Sequence, residues 1–347
     1  MKASQWKLTG GVLVVWLVTA GTAYAVPGDV RSDPGRAEAP RYAPLDRSGP
    51  ELSVPVAVLA QSLSCTGDLT GADRAPVLLV PATWVSPREH YGWNYMPAFD
   101  ALGWPYCAVT TPKHAMEDMQ ISAEYVVYAI RSMYQRAGRP IAILGGSQGG
   151  ALPRWALRFW PDTRRLVEEH VGLAPPNHGG QAPAILCTPN CAPALWQLRY
   201  HSNFMRALNS GQETFPGLSY TEIYTHQDEI VTPAFDDTGT SSLHGRGGRI
   251  TNVALQDICP AHLAEHVKAI TYDAVGYALA IDALTHDGPA DPARIDRRVC
   301  HDEFHPGVEP ATFPTNYLNA AATASYRQAT AQRVDREPAL RPYVTGP

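Results

Sequence analysis

Along this chain, short and wholly apolar runs alternate with longer stretches in which apolar positions recur every three or four residues. "APVLLVPAT" (75–83), "WPYCAVTTP" (104–112) and "PIAILG" (140–145) read as buried strands, and "HVGLAPP" (170–176), "YTEIYTH" (220–226) and "ITNVALQDI" (250–258) continue the series. Between them, "MEDMQISAEYVVYAIRSMYQRAG" (116–138) has helical spacing and a glycine stop, and "GALPRWALRFW" (150–160) reads as a second helix. Buried strands interleaved with helices imply an α/β fold, with a mostly parallel central sheet flanked by helices. No internal repeat is visible.

The first residues break this pattern. Lys2 and Lys7 precede the apolar run "GGVLVVWLV", and Ala23-Tyr24-Ala25 makes a small-residue cleavage site. Residues 1–25 therefore read as a secretory signal peptide, too short in their apolar part to span a bilayer. Residues 26–50 are rich in Pro, Arg and Asp without a hydrophobic period, which predicts a disordered linker or surface arm. Residues 51–347 remain as the domain that carries the α/β pattern. With 347 residues, 45% hydrophobic and 18% charged, the chain suits one large domain, and a net charge of −5 gives no basic footprint for nucleic acid.

Export makes the cysteines informative. Cys65, Cys107, Cys187, Cys191, Cys259 and Cys300 suit three disulfides in an oxidising compartment, with fifteen possible pairings. No pair of C-x-x-C elements supports a structural zinc site. A crosslink closing about forty residues would contribute roughly 4 kcal/mol in the chain-entropy model.

The densest chemistry lies in "IAILGGSQGGA" (141–151), which contains G-x-S-x-G. The motif is weak alone, but here a strand runs into Ser147 and a helix runs out of it, as a nucleophile elbow requires. A serine hydroxyl needs a base, and the base needs an acid to fix its tautomer. Asp228 follows the strand "YTEIYTH", at the edge where parallel sheets place such acids; Asp236 and Asp237 are rivals in a polar stretch. His262 and His266 follow "ITNVALQDI", and spacing alone does not separate them. His262-Leu263-Ala264-Glu265-His266 also matches H-x-x-E-H, a zinc-peptidase motif, which would need a third ligand.

"PVLLVPAT", "GWPYCAVTTP", "SAEYVVYAI", "GGSQGG", "DEIVTP", "AEHVKAIT" and "EPALRPY" together resemble the Candida antarctica lipase B type of secreted α/β-hydrolases over about residues 51–347. The resemblance implies Ser147 as nucleophile, Asp228 as acid and His266 as base, with His262 a structural or surface residue. It implies an oxyanion hole made by the Thr83 backbone and hydroxyl and the Gln148 backbone N–H. It pairs Cys65 with Cys107 and Cys259 with Cys300, which leaves Cys187 with Cys191. It places Gly146, Pro176, Leu198 and Ile230 in the substrate pocket. Ala82 stands where the family has glycine, and Pro176 and Leu198 stand where it has polar groups, so the acyl wall is expected to be apolar. Gly146 replaces the family's tryptophan before the nucleophile, so an open alcohol pocket is expected there.

The expected function is a secreted lipase or carboxylesterase working through an acyl-enzyme, on a small-molecule or lipid ester. A lipid–water interface is a candidate surface, and no metal or organic cofactor is called for. The alternatives are a polyester hydrolase or acyltransferase on the same fold, and the zinc peptidase suggested by the histidine motif. The segment 178–200, "HGGQAPAILCTPNCAPALWQLRY", has the apolar content of a short flap over the site, stiffened by Cys187–Cys191.

Overall fold

A computed structural model describes residues 41–71 and 73–346. The proposed signal peptide and most of the proposed linker lie outside the described residues.

Seven strands of the described residues form one sheet: β1 (Leu63–Cys65), β2 (Val77–Val80), β3 (Tyr106–Val109), β4 (Ile141–Gly146), β5 (Val167–Leu173), β6 (Ser219–Tyr224) and β7 (Arg249–Ala254). Their spatial order is β1-β3-β2-β4-β5-β6-β7. All neighbours are parallel except β1, which runs antiparallel to β3. Every residue of β2, β3, β4 and β6 is buried, as expected when helices cover both faces.

The predicted helix over 116–138 is observed as Met119–Ala137. Asp118 caps its start by accepting the Gln120 N–H, and Gly138 at φ 68° ends it in the left-handed conformation that glycine adopts without strain. The helix after the serine begins at Gln148 rather than at 150 and runs to Phe159. β5 starts earlier than its apolar run suggested, because its polar residues are buried with partners. The Thr221 hydroxyl donates to Glu169, and His170 lies 2.9 Å from the Gly150 carbonyl and 3.2 Å from the Glu222 carboxylate. These polar side chains hid the strand from a reading based on apolar runs.

Residues 41–50 lie against the fold. Tyr42 pairs with Thr345 in a β-bridge, and the Ala43 N–H donates to the Val344 carbonyl at 2.9 Å. Arg158 donates to the Ala43 carbonyl and Arg164 to that of Leu45, both at 2.7 Å, while the Trp160 indole donates to Pro50. Residues 41–50 are an arm whose backbone carbonyls receive these side chains.

The three disulfides are Cys65–Cys107, Cys187–Cys191 and Cys259–Cys300; the first and third are the pairs the resemblance implied, and the second is the pair those leave. The first joins facing residues of β1 and β3. Among the described residues, no helix is long and apolar enough to cross a membrane.

Candidate active site

The C-terminal ends of β4, β6 and β7 carry the site. Ser147 follows β4 directly, at φ 53° and ψ −127°, a conformation that is strained for a side chain with a Cβ. The Ser147 N–H still donates to the Leu173 carbonyl of β5 at 2.8 Å, so sheet pairing holds the residue at the turn. Gly149 lets the helix start lie against β2: a Cβ there would come within 2.1 Å of the Val80 carbonyl oxygen.

The loops after β6 and β7 are stitched together. Thr225 donates to the Ala264 carbonyl, the Ala264 N–H donates to Gln227, and the His266 N–H donates to Glu229. One Asp228 oxygen accepts the Ile230 and Val231 N–H groups at 2.9 and 2.6 Å. Its other oxygen lies 2.7 Å from His266 Nδ1, and His266 Nε2 lies 3.0 Å from Ser147 Oγ. Asp228 therefore fixes the Nδ1–H tautomer and leaves Nε2 to accept from the serine. All three side chains are buried.

The rival residues are elsewhere. Asp236 closes a turn onto Thr238 and Asp237 is exposed. His262 pairs with Asp273, which caps the helix Ala274–Thr285, while Glu265 caps the helix Val267 and Lys268 enter after His266. The H-x-x-E-H residues thus turn to separate partners instead of sharing a helix face. Among the described residues, no group of three His, Cys, Asp or Glu side chains is placed to hold a metal ion.

Burial works against charging His266, but the charge of Asp228 and its hydrogen bond, with Glu229 and Glu265 beyond, outweigh it and hold the pKa above the ordinary 6.5. For the base role that the resemblance implies, the His266 ring must be neutral in the free protein, so kcat/KM for an ester is expected to rise with pH through a midpoint above 6.5. Glu229→Gln removes a negative charge that stabilises the imidazolium, so the midpoint should move to lower pH. A pH profile of both forms checks this, and a shift upward or none would contradict it.

Thr83 follows β2 and lines the cavity, and Gln148 supplies the first N–H of its helix, which has no intrahelical acceptor. The Thr83 hydroxyl donates to the Gln148 side-chain oxygen at 2.7 Å, and Gln148 Nε2 is buried without a partner.

Ser147 and His266 open onto a cavity of about 190 Å³. Pro176, Leu198 and Ile230 line it, together with Pro183, Leu186 and Leu195 of the segment 178–200. That segment forms two short helices, Ala182–Leu186 and Pro193–Gln197, joined across Cys187–Cys191, and walls one side of the cavity.

Gly146 does not line the cavity, and the expected open pocket at this position is absent. A Cβ on Gly146 would lie 2.5 Å from His90 Cε1 and 3.3 Å from the Ile270 Cβ, so the space a tryptophan would need is filled by the His90 ring. Sequence reading also missed the roof. The helix Phe313–Thr330 presents Tyr317, Ala320, Ala321 and Ala324 to the cavity. Phe313 packs with Trp93, Tyr272 and Phe304 at its start, and Arg327 near its end forks onto Glu89 and donates to the Trp84 carbonyl. The three alanines on one helical face were the available signal.

A parallel sheet with a serine at the β4 turn, and an acid and a histidine after later strands, defines an α/β-hydrolase. No family model matches the chain. Lipase B of Pseudozyma antarctica is 30% identical over 230 residues, covering 65% of this chain and 66% of that protein. The crystal structure of Aspergillus fumigatus lipase B matches with a TM-score of 0.78 at 28% identity, covering 89% of this chain and 77% of that one. By sequence and by fold the chain is similar to the lipase B type of α/β-hydrolases.

Proposed function

We propose that this protein is a secreted carboxylic ester hydrolase, a lipase or carboxylesterase, that works through a Ser147 acyl-enzyme. The observation that carries the reading is the line from Asp228 through His266 to Ser147 Oγ, with contacts of 2.7 and 3.0 Å, at the edge of an apolar cavity. His266 takes the serine proton as Ser147 attacks the ester carbonyl, returns it to the leaving alcohol, and then activates water to release the acid. The named relatives, both lipases, favour the same substrate class.

The oxyanion donors in this reading are the backbone of Thr83, the Gln148 N–H and the Thr83 hydroxyl. The hydroxyl is engaged by Gln148 Oε1 while Gln148 Nε2 has no partner. Turning the amide over sets Nε2 to donate to Thr83 Oγ1, which releases the hydroxyl proton toward the cavity. Donors of this kind act on charge that develops in the transition state, and losing one costs about 2.7–4 kcal/mol in related acyl transfers.

The test is labelling with a fluorophosphonate, with and without EDTA. Ser147-dependent labelling unaffected by chelator supports the reading, and esterase activity lost with EDTA and restored by zinc would replace it with the metal one. The acyl wall of Pro176, Leu198, Ile230 and Leu195 sets the chain-length preference. Each methylene buried there contributes about 0.8 kcal/mol, roughly fourfold in kcat/KM while the cavity has room. Rates on p-nitrophenyl esters are expected to rise from acetate to medium-chain acids, and a preference for acetate over octanoate would contradict this wall.

A further inference from the structure

His90, which takes the space beside Gly146, joins parts of the site that come from distant stretches of chain. Its Nδ1 accepts the Ala82 N–H at 3.0 Å, and its Nε2–H donates to the Ile270 carbonyl at 3.0 Å. Ala82 immediately precedes Thr83, and Ile270 lies one turn beyond His266 in the same helix, His266–Thr271. The ring stacks on Tyr91 with centroids 3.9 Å apart. The Tyr91 hydroxyl donates to the Val80 carbonyl at 2.8 Å and accepts the Gly146 N–H at 2.9 Å. This adjacent pair therefore ties together the end of β2, the residue before the nucleophile and the helix of the base.

The two partners allow one tautomer. Nδ1 must be bare to accept from an amide, so the proton sits on Nε2. Burial, with the charge of His266 acting in the same direction, pulls the pKa of His90 down to about 3, so the ring stays neutral in ordinary buffers. Protonation would turn an N–H toward the N–H of Ala82 and break the tie.

We propose that His90 is a positioning residue for ester hydrolysis: its Nδ1 fixes the Ala82–Thr83 peptide, and with it the oxyanion donors, from a ring seated beside the helix of His266. The inference rests on the ester-hydrolase reading and adds to it the residue that sets the geometry of the oxyanion loop. It also accounts for the glycine at 146, since any side chain there would displace the ring.

Isosteres separate positioning from space filling. The amide of asparagine places an acceptor where His90 Nδ1 lies, glutamine reaches the Nε2 position instead, and leucine fills volume with neither. His90→Leu and His90→Gln are expected to lower kcat by about tenfold to a hundredfold, because misplaced donors fail in the transition state, while KM changes by less than about threefold. His90→Asn should recover most of that loss. Rates are divided by active sites titrated with a fluorophosphonate, so an incompletely folded variant does not imitate the result. The inference is overturned if His90→Leu keeps its kcat, if His90→Asn falls as far as His90→Gln, or if the loss lies in KM. A wild-type protein inert to both esters and fluorophosphonate would bring down the ester-hydrolase reading itself, which no variant comparison does.

Discussion

Ser147→Ala and His266→Ala are each expected to lower kcat on a p-nitrophenyl ester by roughly a millionfold, because members of such a relay act as a unit and losing one forfeits the function of all. Asp228→Asn should lose about ten-thousandfold: the amide can present an N–H to Nδ1 and reverse the tautomer that Nε2 needs to accept from Ser147. His262→Ala is the informative control. Its ring bonds to Asp273, away from Ser147, so kcat should persist while stability falls, since Asp273 caps the next helix. Activity lost in His262→Ala and kept in His266→Ala would show that the base has been misassigned. Circular dichroism and thermal melts of each variant separate loss of chemistry from loss of fold.

The parts of this protein that could be read in sequence are those whose signal is local. β2 and β4 are continuous apolar runs, the long helix carries its own cap and stop, and the strand-serine-helix order around Ser147 is written within eleven residues. The choice of His266 over His262 needed the family resemblance, because the two lie four positions apart after the same strand and differ in the partner each meets in space. Features set by distant contacts stayed hidden. The arm at 41–50 has no hydrophobic period because it is held through its backbone carbonyls, which composition does not report. The roof helix Phe313–Thr330 has no buried residue, so its apolar period is faint. Gly146 was misread for the same reason: the space left by a missing side chain is decided by what a segment more than fifty positions away puts there.

Gly146→Ala is expected to destabilise the protein by about 1–3 kcal/mol and to lower activity, although it adds a single methyl group. The new Cβ would sit 2.5 Å from His90 Cε1 and 2.9 Å from Nε2, well inside the closest approach of such atoms. Yielding is difficult for the ring, because both nitrogens are bonded and Tyr91 lies against one face. Displacing it breaks the bond to Ala82, to Ile270 or to both. Gly146→Trp, which would carry an indole into the same space, should fail to accumulate as folded protein. The clash has one identifiable partner, so a double-mutant cycle isolates it. On a His90→Ala background the ring is gone and the methyl group of Gly146→Ala has room, so the two substitutions together should destabilise less than their separate effects summed, by about 1 kcal/mol or more. Urea unfolding of the four forms measures this coupling. Additivity to within about 0.5 kcal/mol, the range found for independent sites, would show that His90 does not occupy the space beside Gly146.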